Sequence, residues 1–135
     1  MKKLITLLFV LFVISGCSDD DDDEIQNPLL GKWKLVEVRT PLVGAPVSID
    51  DVSDENITYT FDFFSNLTID TNGKKETFKY QYKIDYLTGP MSADEPKSPI
   101  VFIDNSKYTY FSLAPNKIVI GWSYVDGSDY YLVKQ

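Results

Sequence analysis

Histidine is absent from the sequence, and cysteine occurs once, at Cys17, in 135 residues. The first absence excludes a His-based catalytic triad, a His general base and imidazole metal ligands. The second excludes an internal disulfide and a Cys-cluster zinc site. Seven glycines are present, never closer than six apart, so no Gly-rich phosphate loop exists. Basic residues are also scarce, with 13 Lys+Arg against 20 Asp+Glu and a net charge of −7. Nucleic acid is therefore not an expected partner, because phosphate neutralisation requires a basic stripe. Carboxylates, lysines, tyrosines and hydroxyls remain for chemistry. Asp62, Asp70, Glu76 and Asp85 are of the type that pairs in glycoside hydrolysis, but nothing in their spacing selects a pair. No catalytic residue, metal ligand or cofactor is assigned, and the chain is not expected to be an enzyme.

Long apolar runs are also lacking. The longest covers residues 4–14, interrupted by Thr6, and is too short for a bilayer, which needs about twenty residues. Lys2 and Lys3 precede it, and the small residues Ser15 and Gly16 follow, just before Cys17. This is the layout of a signal peptide over residues 1–16. The tetrapeptide Ile14-Ser15-Gly16-Cys17 resembles the lipobox of bacterial lipoproteins. That resemblance implies cleavage before Cys17 and acylation of Cys17 with chains such as palmitate, which makes the membrane a partner. Several acyl chains hold a protein far more durably than one.

Residues 17–28 then form a tether dominated by Asp19, Asp20, Asp21, Asp22, Asp23 and Glu24. Like charges repel, so the run stays solvated. Cys17, Ser18 and the acidic cluster also resemble the surface-export signal on lipoproteins of Bacteroidota. This implies a lipid-anchored location at the outer membrane, exposed on the cell surface. Residues 25–135 carry 14 acids and 11 bases, so the folded body has little electrostatic preference for a charged partner.

Within residues 29–135 the pattern has period two almost throughout, with turn residues at short intervals. Strands are predicted over residues 31–39, 57–64, 67–71, 76–84, 100–103, 107–113, 117–124 and 129–134. Asn72-Gly73 is a strong type I′ hairpin signal. Residues 40–56, with Pro41, Gly44 and Pro46, and residues 85–99, with Pro90, Pro96 and Pro99, are predicted as long loops. Sequential hairpins without βαβ spacing give an all-β fold. The expectation is an antiparallel up-and-down eight-stranded β-barrel, a size at which a meander closes and removes its edges.

The first strand opens with Gly31-Lys32-Trp33, which resembles the Gly-x-Trp signature of lipocalins. The resemblance implies that Trp33 plugs the closed end of a lipocalin-like barrel, that residues 40–56 lie over the open end, and that Lys134 packs on Trp33. Lysine stands where an arginine is usual in that family, and no sequence remains for its C-terminal helix.

Alternation puts Tyr59, Phe61, Phe63, Phe78, Tyr80, Tyr82, Phe102, Trp122 and Tyr124 on the inner face. On the sixth strand, either Tyr108 and Tyr110 or Phe111 and Leu113 face inward. The candidate ligand-binding set is Tyr59, Phe61, Phe63, Phe78, Tyr80, Tyr82, Tyr110 and Tyr124. Such rings either fill the barrel or line a pocket in which tyrosine hydroxyls orient an apolar ligand. The first reading is a barrel that binds a small hydrophobic or amphipathic molecule at the mouth opposite Trp33, flanked by residues 40–56 and 85–99. The alternative is a filled barrel that meets a glycan or protein partner through its loops or an outer aromatic surface that includes Tyr86 and one of Tyr130 and Tyr131.

Overall fold

The structure is a computed structural model, and it describes residues 26–88 and 94–135. The expected signal peptide and lipobox-like tetrapeptide, Cys17, the acidic run and Gly89-Pro90 lie outside the described residues. Nine strands form one antiparallel sheet: β1 (Gly31–Leu42), β2 (Ala45–Asp51), β3 (Ile57–Phe61), β4 (Asn66–Thr71), β5 (Lys74–Asp85), β6 (Ser98–Ile103), β7 (Ser106–Ala114), β8 (Lys117–Gly121) and β9 (Asp129–Lys134). Each strand from β3 to β9 pairs with the next, and β9 returns to β1, so eight strands close a barrel of the expected lipocalin-like form. Strand β2 stands outside that ring, paired only with β1.

Strand β1 serves both neighbours by division of its length. Its first residues, Gly31 to Lys34, pair with β3, and its last residues, from Glu37, pair with β2. A register shift between Leu35 and Glu37 marks a bulge at Val36. It moves the inward positions from Trp33 and Leu35 to Val38, which packs on the core.

Residues 40–56 are therefore not a loop. The segment completes β1, turns at Gly44 (φ 72°), forms β2, and ends in a 3-10 turn at Ser53–Glu55. Two prolines made it look irregular, and each sits where a strand tolerates one. Pro41 occupies a register shift between Thr40 and Leu42, and Pro46 lies on a strand with a free edge. Pro99 likewise pairs with Ile84 near the start of β6.

Up-and-down order fixes the two ends. The N-terminal entry at Leu29, the β3–β4 and β7–β8 turns and the β5–β6 connection lie at the Trp33 end. The β1–β2 hairpin and the β4–β5, β6–β7 and β8–β9 turns lie at the opposite end. The two long segments thus leave from opposite ends and do not flank one mouth, which corrects the sequence expectation. The β5–β6 connection instead folds back on the outer wall: Lys107 Nζ donates to the carbonyls of Tyr86 (3.0 Å) and Leu87 (3.1 Å), and Glu95 accepts from the backbone N–H of Leu87 and Thr88 at 3.2 Å each.

The core is apolar, and no buried polar or charged residue occurs among the described residues. Leu29, Trp33, Phe61, Leu67, Ile118 and Leu132 are fully buried and pack with Leu35, Tyr80, Val101, Tyr110 and Ile120. The described residues contain no helix long and apolar enough to cross a membrane.

Candidate functional site

The floor of the barrel is built from the first strand. Gly31 adopts φ 114°, a conformation that other residues reach only with strain, and it turns the chain from Leu29 and Leu30 into β1. Trp33 is then carried into the closed end, where its indole Nε1 donates to the carbonyl of Leu29 at 2.6 Å. Lys134 pairs with Trp33 across β1 and β9, and its ammonium lies 5.2 Å from the indole centroid. All three signature residues, Gly31, Trp33 and Lys134, meet at one end. Phe61 and Tyr80 complete this floor as an edge-to-face pair with centroids 4.9 Å apart. The Tyr80 hydroxyl donates to the carbonyl of Asp62 (2.8 Å) and accepts from Asn27 Nδ2 (2.9 Å).

Above the floor the interior is not filled. Tyr59, Ile69, Phe78, Ile103, Tyr108, Ile120 and Tyr130, each from a different strand, line a cavity of about 180 Å³. Its walls are apolar apart from three phenols. Burial pushes the Tyr59 hydroxyl well above the ordinary phenol range, with further contributions from Tyr130 and Tyr108. Burial likewise raises Tyr108. The three phenols supply the polar groups of an otherwise apolar lining.

The predicted site residues divide into three groups. Tyr59 and Phe78 line the cavity. Phe61, Tyr80, Tyr82 and Tyr110 face inward and belong to the packed part of the barrel, Tyr82 and Tyr110 as an edge-to-face pair 5.4 Å apart. Phe63 and Tyr124 do not face inward. Strand β3 ends at Phe61, so Phe63 falls in the β3–β4 turn and is 85% exposed.

Tyr124 lies in a 3-10 turn, Ser123–Val125, which interrupts the predicted strand 117–124. Asp129 Oδ1 accepts from the backbone N–H of both Trp122 and Ser123 at 2.9 Å, drawing the chain out of the ladder after Gly121. Trp122 consequently leaves the interior and leans on Tyr108, with centroids 5.5 Å apart. The Tyr124 hydroxyl donates to the carbonyl of Lys107. Phe102 faces the outer wall, where the Lys83 ammonium sits 4.5 Å from its ring.

The sequence-based set missed Ile69, Ile103 and Ile120, since it followed aromatic rings alone, although each sits at an inward-alternating position. Of Tyr130 and Tyr131, one of which is expected on the outer wall, Tyr131 is the outward residue and Tyr130 faces the core. The ambiguity on the sixth predicted strand resolves in favour of Tyr108 and Tyr110, leaving Phe111 and Leu113 exposed.

No group of His, Cys, Asp or Glu residues that could hold a metal ion occurs among the described residues. The fold and this cavity define a class: a small lipocalin-like barrel, packed at its Trp33 end and hollow at the other, with the architecture of a binding module. Compared with known proteins, the chain matches no family model, no curated protein and no solved structure.

Proposed function

We propose that this chain is a membrane-anchored, non-enzymatic binding module that takes up a small, mostly apolar molecule at the mouth opposite Trp33. The observation that carries this reading is the cavity of about 180 Å³ and its lining. A volume near 150 Å³ holds one benzene ring, whereas drug-sized ligands need roughly 300–1,000 Å³. A single ring or a short branched chain is therefore the matching size, and an extended fatty acid is not. The phenols of Tyr59, Tyr108 and Tyr130, each able to donate or accept, favour an uncharged ligand with one hydrogen-bonding group, because a bare charge in this apolar space has no counter-ion.

The alternative, recognition of a glycan or protein by outer aromatics, has less support. Three of the outward rings, Tyr131, Tyr86 and Phe102, are already covered by cations. Arg39 lies 4.3 Å from the Tyr131 centroid, Lys97 5.4 Å from Tyr86, and Lys83 4.5 Å from Phe102.

Indole is a suitable probe of the cavity. Titrated against the chain with ¹³C-labelled isoleucine methyls, it is expected to move the resonances of Ile69, Ile103 and Ile120 together and leave the exposed Ile49 and Ile84 unmoved. Uniform or absent shifts would remove the reading. Anchoring rests on the lipobox-like tetrapeptide ending at Cys17. Cys17→Ser is expected to release the chain from the membrane fraction, and retention there would refute the anchor.

A further inference from the structure

Two adjacent phenylalanines stand in water at the end of the barrel from which the tether leaves. Phe63 and Phe64, in the β3–β4 turn, are 85% and 82% exposed. Aromatic side chains bury large areas when they pack, so a pair held outward forgoes contacts that the fold could otherwise use. The turn that displays them is firmly built. Asp62 Oδ1 accepts from the backbone N–H of Phe64 and of Asn66, both at 2.8 Å, and Asp62 Oδ2 accepts from Asn66 Nδ2 at 2.9 Å. Ser65 takes φ 62° to close it.

The same turn is joined to the base of the tether. Asn27 donates to the Tyr80 hydroxyl, which donates to the Asp62 carbonyl, so the chain entry and the aromatic turn are parts of one hydrogen-bonded unit. Gln26 is nine residues beyond Cys17. Fully extended, that length reaches about 30 Å at 3.3–3.6 Å per residue. If Cys17 carries the lipid, the Phe63–Phe64 end is the end of the barrel kept within reach of the bilayer.

We propose that Phe63 and Phe64 form a membrane-contacting tip that enters the interfacial layer of the bilayer in which Cys17 is anchored, holding the cavity mouth outward. This rests on the anchoring reading above. Aromatic rings suit the headgroup level of a bilayer. Lys79 Nζ donates to Oδ1 of Asn66, the first residue of β4 after the turn, which places a cation next to the segment that carries the two rings. The hairpin tip at the opposite end, where Val43 is fully exposed, stays in water.

The test uses the full lipidated chain. Cys17 is the sole cysteine and on the anchoring reading its thiol is capped by the lipid, so Phe64→Cys and Val43→Cys each introduce one free thiol. Each variant receives a polarity-sensitive fluorophore and is reconstituted in phosphatidylethanolamine and phosphatidylglycerol vesicles with brominated acyl chains. The label at 64 is expected to shift to shorter wavelength and lose at least half its emission to bromine, while the label at 43 keeps its aqueous spectrum. Aqueous spectra at both positions on vesicle-bound protein would overturn the tip and leave the anchor standing. Equal quenching at both would also overturn it. A shift at 64 that tracks protein concentration and is insensitive to bromine would assign the turn to contact between copies instead. Protein that fails to remain with the vesicles would overturn the anchor, and the tip with it.

Discussion

Trp33 is the side chain on which the closed end depends. It is 1% exposed, bonded through Nε1 to Leu29, and overlaid by Lys134. Trp33→Ala removes a ring from a packed floor and is expected to lower the unfolding free energy by about 3–5 kcal/mol, measured by urea titration. Loss of the Lys134 contact alone is expected to cost only about 0.5–2 kcal/mol. Tyr59 gives the fold a dependence on alkaline pH. Its phenol is raised above the ordinary value of 10.0 by burial, because the phenolate loses solvation inside the barrel. The unfolded chain therefore releases this proton before the folded one does. The stabilisation is fully present below about pH 10 and is lost as pH rises toward the folded value. Tyr59→Phe is expected to flatten that alkaline decline, followed by thermal unfolding at stepped pH.

At this scale the sequence was legible where alternation was unbroken. Tyr59, Phe61, Phe78, Tyr80 and Tyr82 all face inward as period two requires. It misled at strand ends. Phe63 and Tyr124 keep the alternating phase on paper, but the Asp62 turn and the Asp129 bonds end the strands before they reach them.

Among the elements, the β4–β5 hairpin and the β1–β2 hairpin mark the two limits of what pattern conveys. Asn72 and Gly73 have φ values of 53° and 90°, as the type I′ reading requires. Gly73→Ala has free space around its Cβ, so its cost is conformational alone. It is expected to destabilise the chain by about 1–2 kcal/mol, and chemical denaturation would reveal a larger or absent effect. The β1–β2 hairpin was hidden because its breakers are tolerated locally. A free edge accepts Pro46, and a bulge accepts Pro41. That edge is seven residues long and exposes Val47 and Ile49, so the hairpin relies on its acidic residues, Asp50 and Asp51, and on Pro46 to discourage strand addition.

For the whole molecule, the eight-stranded barrel and its Trp33 plug were readable from strand count and the Gly-x-Trp opening. Whether the barrel was open or filled was not, because alternation gives direction but no volume. It proves to be both: aromatic pairs close the Trp33 end, and three isoleucines with three tyrosines and Phe78 leave space at the other. The proposed arrangement of a tethered floor and an outward mouth would let ligand enter from the side away from the membrane.

The space above the floor is proposed to bind a molecule of single-ring size. The most direct test is calorimetric titration of indole into the chain and into an Ile69→Phe variant, whose larger ring projects into the cavity. One-to-one binding with a Kd between about 1 μM and 1 mM is expected for the native chain. It should be lost in the variant while the thermal unfolding remains cooperative. No heat of binding to the native chain, or equal affinity for both, would rule out binding in this cavity.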